Sequence, residues 1–332
     1  MAANGIGDEF DLIAKYLAPL AAGAPGALGL TDDAAILDVP ADQRLVAAVD
    51  TMVAGIHFLG DDPPGDIARK IIRVNLSDLA AMGARPLGLL LALVLPRDVT
   101  GDWMERFAAG LKADSEEFHA PLIGGDTVAS DGPLTLSLTA LGAVPAGQVL
   151  TRGGALAGDA IYVTGTIGDG ALGLGIAKGA LKGLDQAQEN YLVERYRRPR
   201  PRLEFGVRLL GHAHAAIDVS DGLIADLGHI CTCSGVGARL VAQAVPLSSA
   251  AQAALRLDQG KLADLLTGGD DYELLFTAPP ENDAALRAIA SDLAVDVTRI
   301  GSITDGGGLE VDDGDGLGLK LENGGYRHFR RG

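Results

Sequence analysis

The 332-residue chain has only two cysteines, Cys231 and Cys233, one tryptophan, and aromatic residues at 4%. Two cysteines cannot supply a disulfide framework. Two positions apart in a helical segment, they point in different directions and make a poor metal pair. Both are expected as buried small hydrophobes. With aromatics scarce, the cores must be built mainly from Ala, Leu, Val and Ile, and apolar residues reach 48%. Positive charge is also short: 27 Lys and Arg stand against 44 Asp and Glu, a formal charge of -17. Such a surface repels nucleic-acid backbones and anionic membranes, so neither is expected as a partner. No run is long and apolar enough to span a membrane, and Met1-Ala2-Ala3-Asn4-Gly5 lacks a basic region followed by an apolar one. The expected compartment is the cytoplasm. The phosphate-binding G-x-x-x-x-G-K-[ST] is missing, as are the protein-kinase H-R-D and D-F-G. A nucleotide, if used, is held by another architecture.

What the chain does have is glycine, 46 residues, and aspartate in awkward places. Its length suits two domains. The spacing of Phe10, Leu12, Ile13, Tyr16, Leu17 and Leu20 predicts a helix. Asp32-Asp33 then stand before a short apolar run, where an exposed turn explains them equally well. Residues 44 to 49 read as a strand ending on Asp50-Thr51. Ile67, Ile71, Val74, Asp78 and Ala81 recur at helical spacing, which puts Asp78 on an apolar stripe beside Asn75. A carboxylate there needs a donor, a cation or a metal. A buried strand over Leu87 to Leu95 and a helix capped by Thr100 follow. Ala120 to Ile123 then opens onto Gly124-Gly125-Asp126-Thr127, which reads as a phosphate approach with a cation ligand or as a hairpin turn. Alternation from Leu134 to Ala140 marks an antiparallel strand. The loosened segment Ala143 to Gly147 places a domain boundary near 148, dividing the chain into 1–148 and 149–332, with Arg152 just beyond it.

In the second half a strand at Ala160 to Thr164 leads to Gly168, Gly170 and Gly173. These match G-x-G-x-x-G, but they do not follow the strand immediately and lack the usual acid at a second strand end, so a dinucleotide site is disfavoured. Helices are predicted around 188–197, 202–212 and 248–256, and strands near 236–242 and at 297–300. Ala215-Ala216-Ile217 stops at Asp218-Val219-Ser220-Asp221-Gly222-Leu223, where Ser220 or Asp221 is placed to cap the next helix. Gly-Gly-Asp recurs at 268–270. Asp33, Asp50, Asp78, Asp126, Asp218 and Asp221 would repel one another if brought together, so cations must join them. Hard oxygen ligands favour Mg²⁺. Several Mg²⁺ ions with open positions imply phosphoryl transfer on a nucleotide.

Four stretches carry a resemblance: Asn75-Leu76-Ser77-Asp78-Leu79-Ala80-Ala81-Met82-Gly83-Ala84, Ile123-Gly124-Gly125-Asp126-Thr127, Ile217 to Leu223, and Gly269-Asp270-Asp271-Tyr272-Glu273-Leu274. Together they resemble the thiamine-monophosphate kinase family, in the superfamily that includes aminoimidazole ribonucleotide synthetase, from about Gly5 to Phe329. The resemblance implies an α+β fold (α/β sandwich) of two domains. The N-terminal one has mixed and antiparallel strands forming a dimer barrel, plus helices, and binds ATP and Mg²⁺. The C-terminal α/β domain completes the active-site cleft. The implied reaction is ATP-dependent phosphorylation of thiamine phosphate to thiamine diphosphate by a homodimer. By the same resemblance Asp33, Asp50, Asp78, Asp126, Asp218 and Asp221 correspond to metal ligands, with Asp126 and Asp218 most critical. Gly125, Asp126, Arg152 and Ser220 correspond to the ATP site, and His57, Asp270 and Tyr326 to the thiamine phosphate site. The family often has glycine where this chain has Thr31, hydroxyl residues at Ala48 and Val49, and glutamate at Asp270. A metal contact at 48 or 49 is therefore left to backbone carbonyls.

The chemistry agrees with these residues. A phosphate monoester with its second pKa at about 6 is mostly ionised at neutral pH, so no general base is needed. Two alternatives stand beside this one: another ATP-dependent enzyme of the superfamily, a synthetase or maturation factor, and a Mg-nucleotide-binding protein without chemistry. A selenophosphate-type enzyme would need an early reactive cysteine, and none precedes Cys231.

Overall fold

The computed structural model describes residues 8–257, 262–313 and Gly325. The chain divides into two compact units, Met1–Leu79 with Ala84–Ala146, and Ala80–Gly83 with Gly147–Gly332. Both combine mixed sheets with helices, an α+β architecture.

In the first unit a short helix α1 (Glu9–Leu12) precedes β1 (Gln43–Val53), α2 (Pro64–Ala81), β2 (Arg85–Pro96), α3 (Gly101–Glu117), β3 (Leu122–Ser130) and β4 (Thr135–Pro145). The sheet order is β1-β4-β2-β3, with β4 antiparallel to both β1 and β2, and β3 parallel to β2. The alternation along β4 is as expected: Leu136, Leu138 and Ala140 are buried, while Thr135, Ser137 and Thr139 are half-buried on the other face. Ile67, Ile71 and Leu79 of α2 and Met104, Phe107 and Leu111 of α3 supply the rest of this core. Thr100 caps α3, its hydroxyl accepting from Trp103 N at 3.2 Å.

Three local expectations change in this unit. The helix expected from Phe10 to Leu20 is regular only over α1, then widens over Ile13–Leu17 and tightens over Ala18–Ala21, where Pro19 removes a backbone donor. Phe10 is left exposed. Strand β1 does not stop at Asp50, because β4 continues to pair with it as far as Val53. Gly124-Gly125-Asp126 is not a hairpin turn but lies within β3, where Leu91 of β2 lies opposite Gly125. A side chain at Gly125 would collide with the Leu91 carbonyl.

The second unit is built on a six-stranded sheet. In chain order it runs β5 (Ala160–Thr164), α4 (Asp169–Ala177), α5 (Gln186–Arg197), α6 (Leu203–Arg208), β6 (Ala215–Asp218), α7 (Leu223–Ser234) and β7 (Gly237–Val241). There follow α8 (Ser249–Arg256), α9 (Leu262–Thr267), β8 (Leu274–Ala278), α10 (Asp283–Leu293), β9 (Val297–Thr304) and β10 (Gly308–Asp312). The order is β10-β7-β9-β5-β8-β6, and only β10 with β7 is parallel. Its main core is aliphatic, with Ile161, Val163, Ile217, Leu227, Leu240 and Leu275 among its members. This fits the scarcity of aromatics. A smaller cluster of Leu172, Leu192, Ala251 and Leu265 ties α4, α5, α8 and α9 together. Cys231 is buried as expected, but Cys233 is exposed, two positions round α7 from it. Among the described residues no helix is long and apolar enough to cross a membrane.

Candidate active site

The first unit holds its acids in two groups. Asp50 and Asp78 form one. Register places Asp50 beside Leu138, on the sheet face that carries the helices. Its backbone N–H donates to Asn75 Oδ1 at 3.0 Å. Burial holds the Asp50 carboxyl above its ordinary pKa, and a hydrogen bond with Asp78 opposes that rise. Asn75 is itself fixed by donating to the Ile71 carbonyl at 2.8 Å. The position of Asp78 on an apolar stripe is thus answered by a second carboxyl.

Asp32, Asp33 and Asp126 form the other group, among the lining of a cleft of about 430 Å³. Its walls are otherwise apolar, with Ile13, Leu17, Leu30, Leu90 and Leu141, and Gly124 and Gly125 bring β3 backbone to it. The Asp33 N–H donates to Asp32 Oδ1, and the Thr127 N–H to Asp126 Oδ1, each at 2.9 Å. Asp126 pairs in register with Ala92, Ser137 and Thr51, one residue out of step with Asp50, so the two aspartates sit on opposite faces of the sheet. Their strands, β1 and β3, lie three strand spacings apart, about 14 Å. His57 lies just past β1, where its Nδ1 accepts from the Val53 N–H at 3.0 Å. That bond fixes the tautomer, leaving the proton on Nε2. Buried Lys70 donates to the His57 carbonyl at 3.2 Å.

In the second unit, Asp218 ends β6 and is 4% exposed. Neither Ser220 nor Asp221 caps α7. The N-cap is Gly222, and the capping carboxylate comes from inside the helix. Asp226 Oδ2 accepts from the N–H groups of Ser220, Asp221 and Gly222 at 3.1, 3.2 and 3.2 Å. Burial, and after it the charges of Asp218 and Asp221, push the Asp226 carboxyl up to about 8. Sequence reasoning missed this residue, although it falls on the apolar stripe of α7 with Leu223, Leu227 and Ile230, the same signal that singled out Asp78.

The stretch 269–273 lies against the 218–222 loop, so Asp270 and Ser220 are brought together. Asp270 N donates to the Ser220 carbonyl at 3.0 Å and Tyr272 N to the Val219 carbonyl at 2.8 Å. This path puts Asp270 and Tyr272 at φ 71° and 52°, strained for residues with side chains. Arg152 is exposed, its carbonyl accepting from Ser234 Oγ at 3.2 Å. Tyr326 lies outside the described residues.

The G-x-G-x-x-G match proves to be a filled nest. Gly168 N and Gly170 N donate to Asp271 Oδ2 and Oδ1 at 2.7 and 3.0 Å, so these amides serve a protein carboxylate and no phosphate. Beneath them, Glu273 accepts from Thr164 at 2.7 Å, Arg195 at 2.9 Å and both arms of Arg202 at 2.6 Å. Asp169 accepts from Thr166 and Ser248, each at 2.6 Å, and from Tyr191 at 3.1 Å. Three buried carboxyls thus face two guanidinium groups. Burial pushes the Asp271 carboxyl up to about 8, against the pull of the two amides, which brings the group near charge balance.

Most of each unit matches a known family model. Residues 31–144 match the family described as AIR synthase related protein, N-terminal domain, and residues 157–314 the corresponding C-terminal domain. The chain is 45% identical over 324 residues to the thiamine-monophosphate kinase of Salmonella typhimurium, covering 97% of this chain and 98% of that one. A crystal structure of thiamine-monophosphate kinase from Stenotrophomonas maltophilia K279a is 47% identical with a TM-score of 0.79, covering 85% of this chain and 89% of that one. AaThiL complexed with AMPPCP and TMP is 31% identical with a TM-score of 0.78, covering 97% of each chain. Identity at this level across both units leaves one assignment: the chain belongs to the thiamine-monophosphate kinase family.

Proposed function

We propose that this chain transfers the γ-phosphoryl group of ATP to thiamine monophosphate, giving thiamine diphosphate and ADP. The observation that carries this is the likeness, over 97% of the chain, to a protein whose complex holds both AMPPCP and TMP. Identity to curated thiamine-monophosphate kinases favours it over the other ATP-dependent reactions of the superfamily.

The residues fit Mg²⁺. All six candidate ligands are carboxylates, hard donors suited to it. Asp50 and Asp78 already share a hydrogen bond, and two carboxyls that can share a proton can share a cation. We assign metal-holding roles to Asp33, Asp50, Asp78 and Asp126 in the first unit, and to Asp218 and Asp221 in the second. When bound, Mg²⁺ supplies charge neutralisation between the anionic donor and acceptor. The chain's own groups do the positioning. The apolar cleft takes the nucleotide base, and the bare backbone at Gly124 and Gly125 admits the phosphates beside Asp126. Arg152 and Ser220 serve the ATP phosphates. His57 offers its Nε2–H to the thiamine phosphate, and Asp270 and Tyr326 complete that site. No group needs to remove a proton, because the acceptor phosphate is already ionised. The test is direct. The purified protein should form thiamine diphosphate from ATP and thiamine monophosphate in the presence of Mg²⁺. No product at any metal concentration would overturn the assignment.

The protein acts as a homodimer joined through the first unit's sheet. Leu45, Val49 and Val128 stand 51%, 62% and 46% exposed on its outward face, and β1 is an eleven-residue edge strand. Such an edge invites pairing or a cover. Sedimentation should give twice the chain mass, shifting toward the monomer in Val49→Asp. A wild-type monomer at micromolar concentration would exclude the dimer.

A further inference from the structure

We propose, on the basis of the kinase activity set out above, that Asp226 is a positioning residue for phosphoryl transfer, gathering the amides of residues 220–222 so that Asp218 and Asp221 are held in register. Its side chain is 2% exposed, and one oxygen accepts all three successive N–H groups. The other edge of the loop is pinned independently. Asp270 and Tyr272 donate to the carbonyls of Ser220 and Val219. A side chain at Gly269 would strike the Ser220 carbonyl, and Gly222, at φ 117°, leaves no room for one against Thr267. The backbone of 219–222 is therefore clamped from both edges, and what the loop offers a ligand is its side chains.

A helix start is ordinarily capped by the residue before it, at little cost. Here the cap comes from a buried carboxylate whose oxygen lies within 4.8 Å of an oxygen of Asp221. Crowding two acid groups at that distance is unfavourable unless one of them keeps its proton. A loop needed only for stability has a cheaper solution in a serine or asparagine before the helix. What the inward carboxylate adds is geometry. Three convergent amides force the backbone to curl round Asp226, which fixes where the residues on either side point. Three N–H donors converging on one buried oxygen leave the carboxyl little freedom to rotate. Displacements of about 1 Å from productive geometry cost about 100-fold in rate.

The test compares Asp226→Ala and Asp226→Asn with the wild type. Amide exchange over 217–224 is followed in the protein without substrates, and kcat and KM in the kinase assay. Asp226→Asn keeps the shape and one acceptor oxygen. Asp226→Ala should stay folded by circular dichroism, exchange its 220–222 amides at least about tenfold faster, and lose about 100-fold in kcat. Its KM for thiamine monophosphate should stay within about threefold, since the groups assigned to that substrate, His57, Asp270 and Tyr326, lie outside residues 220–222. Asp226→Asn should recover most of both losses. Wild-type exchange and kcat in Asp226→Ala would overturn the proposal. So would an Asp226→Asn as impaired as the alanine variant, which would make the charge itself the active element. If the alanine variant does not fold, Asp226→Asn decides alone: slow exchange with kcat within about tenfold of wild type supports positioning, and full loss overturns it. A wild type that makes no thiamine diphosphate would instead bring down the kinase assignment, while the exchange comparison would still decide whether Asp226 holds the loop.

Discussion

After β5 and again after β6, the second sheet gives way to a glycine-bearing loop and then a helix, and in both places a buried aspartate fills the loop's amides. Asp271 does so for Gly168 and Gly170, and Asp226 for Ser220, Asp221 and Gly222. The first loop carries the more familiar nucleotide signature and the second carries none. Their electrostatics run the other way. Asp271 has Arg195 among its neighbours, with Arg202 completing the pairing of Glu273. Asp226 has the like charges of Asp218 and Asp221. The same backbone device thus closes a balanced structural network in one place and concentrates negative charge in the other. A glycine pattern cannot tell the two apart; the sign of the surrounding charge can.

The sharpest way to break this comparison is to remove one carboxylate charge from each side. Asp218→Asn should cost at least about 100-fold in kcat, as loss of a key electrostatic element at a phosphoryl-transfer centre does. In metal-free protein it should leave thermal stability equal to the wild type or higher, because it relieves repulsion. Glu273→Gln should do the reverse. It takes from Arg202 the carboxylate it pairs with and leaves Arg195 only the longer pair with Asp169, at 3.8 Å; breaking buried pairs in this way costs about 3–5 kcal/mol. Turnover per folded molecule should stay close to wild type. Denaturant titration and kcat on the same preparations read both. Equal effects of the two substitutions on stability and turnover would erase the distinction.

How far the two junctions could be read in the sequence differs for a physical reason. Several elements were legible: the alternation of β4, the strand at Ala160–Thr164 and the helix of α8 at Ser249–Arg256 fall where they were expected. Legible too was the awkwardness of Asp78, because a carboxylate on an apolar stripe needs only helical spacing to be noticed. Asp226 carried the same signal but stood behind the more conspicuous Asp218 and Asp221. The partner of Gly168 and Gly170 lies about a hundred residues away at Asp271, and no local pattern announces so distant a bond. The course of β1 and β3 through Asp50 and Gly124-Gly125-Asp126 was hidden likewise, since strand length is set by neighbouring strands and not by turn-forming residues.

A subtler probe uses pH to ask whether the network around Asp271 is balanced. Three carboxyls against two guanidinium groups come closest to neutrality when Asp271 is protonated, and burial pushes its carboxyl up from 3.8 to about 8. Below 3.8 the group is protonated whether the chain is folded or not. Between that value and about 8 the folded protein retains a proton that the unfolded chain has released. The stability this contributes is therefore fully present at low pH and lost as pH rises through about 8. Asp271→Asn never carries the charge, so its thermal stability relative to the wild type should improve from about pH 5 to about pH 8 and level off above that. The offset at the low end reflects whatever an amide loses at Gly168 and Gly170. A difference in Tm that stays constant over the whole range would mean that Asp271 is ionised throughout, and that the two amides and Arg195 outweigh burial. The first loop would then hold excess negative charge as the second does, and the contrast between them would shrink to the pairing of Glu273 alone.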